Sequence, residues 1–129
     1  MNRLAPLSDE EVGRRLPVWS IFSNIFLDTR FDDETFDRWA EQLDSSGYSI
    51  PQLETIMREE VAPAFCFSLL SVAGEWAGFH DDFIKERVLD TRGKRLHRLT
   101  SQALFTHYVS IQWEKFERRL LALDKPETE

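Results

Sequence analysis

Residues 96–123 contain neither proline nor glycine, so nothing in that stretch interrupts a helix. Phe105, Val109, Phe116, Leu120 and Leu123 recur on one side of it. A straight helix over that span would be about 42 Å long. A compact chain of 129 residues is only about 36 Å across by the usual scaling. The helix therefore outruns the domain that holds it. Leu99, Leu104, Ile111, Trp113 and Leu121 add apolar groups outside the main stripe. Two arrangements absorb this excess: other helices wrap the segment as a central strut, or its free side meets another chain.

The rest of the chain also reads as helix. Ser8 with Glu11 forms a capping box that starts a short helix near Asp9. Pro17 disfavours helix at Leu16 and suits the first turn of a second helix, whose apolar side is Val18, Ile21, Phe22, Ile25 and Phe26. Asp32 is the cap of the next, with Phe36, Trp39, Ala40 and Leu43 as its inner stripe and Gly47 as its stop. Ser49 with Gln52 is another capping box, followed by Leu53, Ile56, Met57 and Val61; Pro63 ends or bends that helix. Phe65, Phe67, Leu69, Leu70, Val72 and Ala73 are too apolar to show a period and read as a buried helix rather than a strand. A further helix is expected from Asp81 or Asp82 to about Thr91, with Phe83, Ile84 and Val88 inward and Gly93 as its break. The expectation is an all-α fold: a single compact domain over residues 1–123, about six helices with a long C-terminal one, and a polar tail over 124–129.

Apolar residues make up 42% of the chain, with four Trp and ten Phe, enough for one packed core. No apolar run reaches the roughly 20 residues that span a bilayer, and the first residues lack a secretory apolar stretch. The lone cysteine, Cys66, sits among aromatics and reads as a buried small hydrophobe. These features suit a cytoplasmic protein without a membrane partner. The net charge of −7 is uneven: residues 1–82 hold 16 Asp and Glu against 6 Arg, and residues 83–129 hold 10 Lys and Arg against 7 Asp and Glu. An acidic majority argues against nucleic acid and suits a basic protein partner, or plain solubility.

Residue clusters with chemical potential are sparse. Glu75, His80, Asp81 and Asp82 match no defined metal spacing, and the reading assigns no metal, cofactor or catalytic residue. Glu75 stands in an apolar stretch and, if buried, needs a partner; an arginine salt bridge and a functional role both remain open. His97 and His107 are too far apart on one helix to share a metal. Lys85, Arg87, Arg92, Lys94, Arg95 and Arg98 form a basic stretch, read as a solvated surface or as a phosphate or RNA contact.

The run Leu70-Ser71-Val72-Ala73-Gly74-Glu75-Trp76-Ala77-Gly78-Phe79 resembles the signature of a family of small, uncharacterised bacterial proteins. Phe26-Leu27-Asp28-Thr29, Ser46-Gly47-Tyr48-Ser49 and Glu60-Val61-Ala62-Pro63 extend the resemblance, which covers roughly residues 18–88. It implies a bacterial source and a helical fold, and brings no catalytic residues. A small acidic protein of this kind is expected to bind another protein. The first expectation is an immunity-type inhibitor that neutralises a cognate basic toxin domain. Its contact residues would be Asp32, Asp33, Glu34, Asp37, Glu41 and Asp44, on and before one helix. The alternatives are a homodimeric adaptor or regulator and, third, an enzyme built around Glu75.

Overall fold

The computed structural model describes residues 6–26, 31–66, 81–92 and 94–124, without the side chains of Arg95 and Asp124. Among these residues there is no strand, and the architecture is all-α. Helix α1 spans Asp9–Ser23, with the Ser8 hydroxyl accepting the Glu11 amide at its start. A single 3-10 turn, Asn24–Phe26, follows it. The break expected at Pro17 does not occur: one helix runs through it. A proline ring normally presses on the carbonyl four residues back, which here belongs to Gly13. A side chain added to Gly13 would meet nothing within 4 Å. Gly13 and Pro17 are both exposed, so water can take the carbonyl that Pro17 leaves without a donor.

Helix α2 spans Asp33–Ser45, and the Asp32 carboxylate caps it by accepting the Thr35 amide and hydroxyl. The chain leaves it through Gly47 at φ +90°, a conformation that favours glycine. A Cβ there would also stand 3.3 Å from Nη2 of Arg14. Helix α3 spans Ile50–Ile56 behind the reciprocal Ser49–Gln52 capping box. It passes without a gap into π-turns over Met57–Val61 and then helix α4, Ala62–Phe65. Pro63 therefore does not end the helical run. The turns ahead of it widen instead, and the Ala62 amide reaches back five residues to the Met57 carbonyl. This re-spaces the carbonyls in front of a residue that has no donor. Residues 67–80, including the apolar stretch expected at the centre of the core, lie outside the described residues. Helices α5, Asp81–Arg92, and α6, Arg95–Asp124, complete the fold. The expected tail beyond Asp124 also lies outside the described residues.

The core is largely aromatic where α1, α2 and α6 meet. The Phe116 ring lies 5.1 Å from Phe22 and 5.3 Å from Phe36, in edge-on contacts, with Trp39 stacked at 6.4 Å. Cys66 is buried as expected. Helix α6 packs on α2, α3, α4, α5 and the π-turns, and Phe22 of α1 touches its Trp113 and Phe116. It is nevertheless not a strut buried all round. Leu96 is 76% exposed and Leu104 64%, and Leu99, Ile111, Leu121 and Leu123 are exposed with them. Leu123 thus falls outside the inner stripe assigned to it. Phe83, expected inward, is 43% exposed and lies under the Arg87 guanidinium. Trp39 is half-buried, shielded by Phe31, Phe36 and Phe116.

Phe116 is fully buried, so Phe116→Ala should cost about 3–5 kcal/mol. Trp39→Ala should cost measurably less, because Trp39 is already partly exposed while Phe116 is fully covered. Urea unfolding of both variants checks the order; equal losses, or a larger loss at Trp39, contradict it.

Candidate functional site

Three features of the structure have chemical content. The first is the acidic face of α2. At about 100° per residue, Asp33, Glu34, Asp37, Glu41 and Asp44 fall within about 100° of helix arc. All five are exposed, and the core stripe points elsewhere. The six acidic residues picked out by sequence do not play one role. Asp32 is the helix cap, and its bonds from Thr35 hold its carboxyl below the ordinary range. Asp33 and Asp37 are both engaged by Arg119 of α6, at 3.2 and 2.8 Å. Glu34, Glu41 and Asp44 form no ion pair among the described residues. The open negative surface is therefore these three, while Arg119 holds Asp33 and Asp37.

The second feature is a buried polar network centred on Glu60, which is only 4% exposed. Its Oε1 accepts the Trp19 indole N–H at 2.8 Å, and its Oε2 accepts Nε–H of Arg92 at 3.1 Å and Nη1–H of Arg15. Arg15 also donates from Nε to Glu11 at 2.7 Å, and the Tyr48 hydroxyl donates to the same Glu11 oxygen. The Arg14 guanidinium covers the Tyr48 ring at 4.2 Å. The bond from Tyr48, and then that from Arg15, hold the Glu11 carboxyl below its usual range. Burial, and then the bond to Glu11, push the Tyr48 hydroxyl up. This network was not anticipated, though position 60 carried a signal: it lies seven residues after Leu53, inside the apolar stripe of its helix. A charge there has to be buried and paired.

The third feature is a groove between α3, the π-turns and α6. One cavity of about 330 Å³ lies among Glu54, Arg58, Ser110, Trp113, Glu114 and Glu117, with Ile111 and His107 at its edge. A second, of about 300 Å³, includes Phe105, Val109 and Ser101. Arg58 lines both. Trp113 is 3% exposed, and its indole N–H has no acceptor among the described residues. A buried donor left without an acceptor costs about 1–3 kcal/mol, so its presence calls for an explanation.

The other expectations resolve unevenly. Glu75 and His80 lie outside the described residues. Among the described residues, no three His, Cys, Asp or Glu side chains converge as a metal site. The basic stretch is not simply a solvated surface. Arg92 and Arg98 are buried, Arg92 on Glu60. Arg87 donates to the Ala64 carbonyl and His97 Nε2 to that of Pro63, at 3.0 and 2.7 Å. Lys94 pairs with Asp90 on the surface. These contacts turn several cations toward the π-turns and α4. No described helix is long and apolar enough to cross a membrane.

Residues 13–119 match the family model described as a domain of unknown function, DUF7079, and the chain belongs to that family. No curated protein and no solved structure matches the chain.

Removing one partner from a buried, paired charge is severe, so Glu60→Gln should lower stability by about 3–5 kcal/mol, read by urea unfolding. A loss near zero means that Arg15 and Arg92 find other acceptors. The Glu11–Tyr48 contact gives a pH signature. A lowered carboxyl pKa stabilises the fold above the ordinary carboxylate range, and that stability is lost as pH falls through the folded value. A raised hydroxyl pKa stabilises the fold below the usual tyrosine range, and that stability is lost as pH rises through the higher folded value. Tyr48→Phe should therefore flatten both limbs of a melting-temperature profile against pH. Unchanged limbs would mean the contact is not populated in solution.

Proposed function

We propose that this DUF7079 member acts by binding another protein, as an immunity-type inhibitor that neutralises a basic toxin domain in the cytoplasm. The observation that carries this reading is the ordered acidic face of α2. Glu34, Glu41 and Asp44 stand in solvent on one side of a capped helix, and Arg119 ties the same helix to α6. Carboxylates on a rigid element are pre-positioned, so little ordering cost is added on binding. Their potential would steer a basic partner into contact. The reading assigns no catalytic step and no cofactor to the chain.

A second reading, a homodimeric adaptor or regulator, draws support from the outward side of α6. At helical spacing Leu96, Leu104, Ile111 and Leu121 share one side of that helix, and all four are exposed. Sedimentation at micromolar concentration separates the two readings, since the inhibitor needs no second copy.

The inhibitor reading is tested by capturing the partner from the source organism, identifying it, and measuring its association rate with purified chain. The rate should fall as salt rises, because charges further apart than about 8 Å are screened at physiological ionic strength. The triple variant Glu34→Lys, Glu41→Lys, Asp44→Lys should slow association by about tenfold or more without changing the melt. A captured partner that is not basic, or a rate indifferent to salt and to the triple variant, would sink the reading.

A further inference from the structure

The outward side of α6 carries charge as well as leucine. Ile111, Glu114, Arg118 and Leu121 are all exposed, and they fall within about 80° of helix arc. Neither Glu114 nor Arg118 forms an ion pair among the described residues. The four stand in a symmetrical order, with Ile111 and Leu121 outside, Glu114 and Arg118 between them, and one midpoint, position 116, common to both pairs. The outer pair is apolar and the inner pair opposite in charge. A two-fold interface sets residue i on residue j and j on i. A face with this order is therefore complementary to itself when two copies run antiparallel. Its direction outward is fixed, because Phe116 and Leu120 are buried on the other side and Arg119 holds α2.

We propose that α6 pairs with α6 of a second copy of this chain, antiparallel and crossing at position 116. Glu114 of each copy meets Arg118 of the other, and Ile111 meets Leu121 on either side of the charges. Charge selects both direction and register. Parallel helices in register would set Glu114 on Glu114 and Arg118 on Arg118. Sliding the antiparallel pair to the neighbouring turn sets Glu114 on its own copy in one direction and Arg118 on its own copy in the other. Like charges facing each other suppress all three arrangements. One helix pair is a small contact beside the roughly 800 Å² per partner of a standard interface, so the association is weak and these four side chains govern it. Leu104 and Leu96 lie about 18 and 30 Å along the helix from the crossing and are no part of it. The inference rests on the homodimeric reading and does not involve the acidic face of α2.

The test is sedimentation equilibrium of the full chain from micromolar to sub-millimolar concentration. The chain should dimerise. Glu114→Arg and Arg118→Glu should each weaken self-association by about tenfold or more, because each sets like charges across the two-fold axis. Mixed in equal amounts, the two single variants should form a heterodimer, since both of its cross pairs are again opposite in charge. The double variant carrying both changes should regain the dimer. Both positions are exposed and both replacements suit a helix, so thermal melts should be unchanged. Leu104→Lys should leave the dimer intact. A monomer at every concentration overturns this pairing and the homodimeric reading together. A dimer that survives the single reversals, that neither the mixture nor the double variant restores, or that is lost in Leu104→Lys overturns the pairing and leaves the homodimeric reading standing.

Discussion

A single buried carboxylate sets the relative placement of three helical segments. Glu60 comes from the π-turns, its donors Arg15 and Trp19 from α1, and Arg92 from the end of α5. Burying a charge is tolerable only when its lone pairs are met, so none of these segments can slide without exposing a large desolvation cost. The constraint spreads outward through Arg15, which also grips Glu11, and through Glu11 to Tyr48 in the α2–α3 connection. Apolar packing would tolerate small changes of angle and register here. The polar network selects one arrangement among them.

Helix α6 converts that arrangement into two different surfaces. Its inner side completes the aromatic cluster around Phe116, and Arg119 reaches from it to the first turns of α2. The acidic face of α2 is thereby fixed to the aromatic cluster around Phe116. Its outer side carries leucines into solvent, and at the border between the two lies Trp113, apolar in its packing on Phe22 and unsatisfied at its nitrogen. A buried group without a partner is uncommon in folded chains, and it marks this border more sharply than the exposed leucines do.

What could be read in advance was local. The capping residues Ser8, Asp32 and Ser49, the left-handed stop at Gly47 and the inner stripe of α3 depend on spacings of a few residues, and the structure bears them out. Pro17 does not break its helix and Pro63 does not end its own, because the cost of a proline depends on its surroundings: an open glycine carbonyl in one case, widened turns in the other. Phe83 and Trp39 sit at the margins of apolar stripes, where periodicity does not say how wide the buried strip is. Of the site, the carboxylates of α2 were legible, since they share one helix face. Their anchoring by Arg119 was not, because it joins residues 82 and 86 positions apart. Glu60 was hidden in plain pattern, at a stripe position where an apolar residue was expected. The idle nitrogen of Trp113 left no trace in the sequence at all, being a fact about what a neighbouring helix fails to offer.

The π-turns over Met57–Val61 carry a consequence for how this family can vary in length. A π-turn is an α-helix holding one residue too many, accommodated locally instead of being passed along the chain. If that residue were excised and the turn relaxed to regular α geometry, the helical run on either side would keep nearly the same relative orientation, because the wide turn has already absorbed the rotation of about 100° that one extra residue would otherwise pass along the chain. Ala62, Ala64, Phe65 and Cys66 would stay inside, and the carbonyls that receive Arg87 and His97 would stay within reach of them. The same residue removed from regular helix elsewhere in the run would turn these side chains out together. Relatives one residue shorter should therefore have lost it here, and should read as regular helix through this segment.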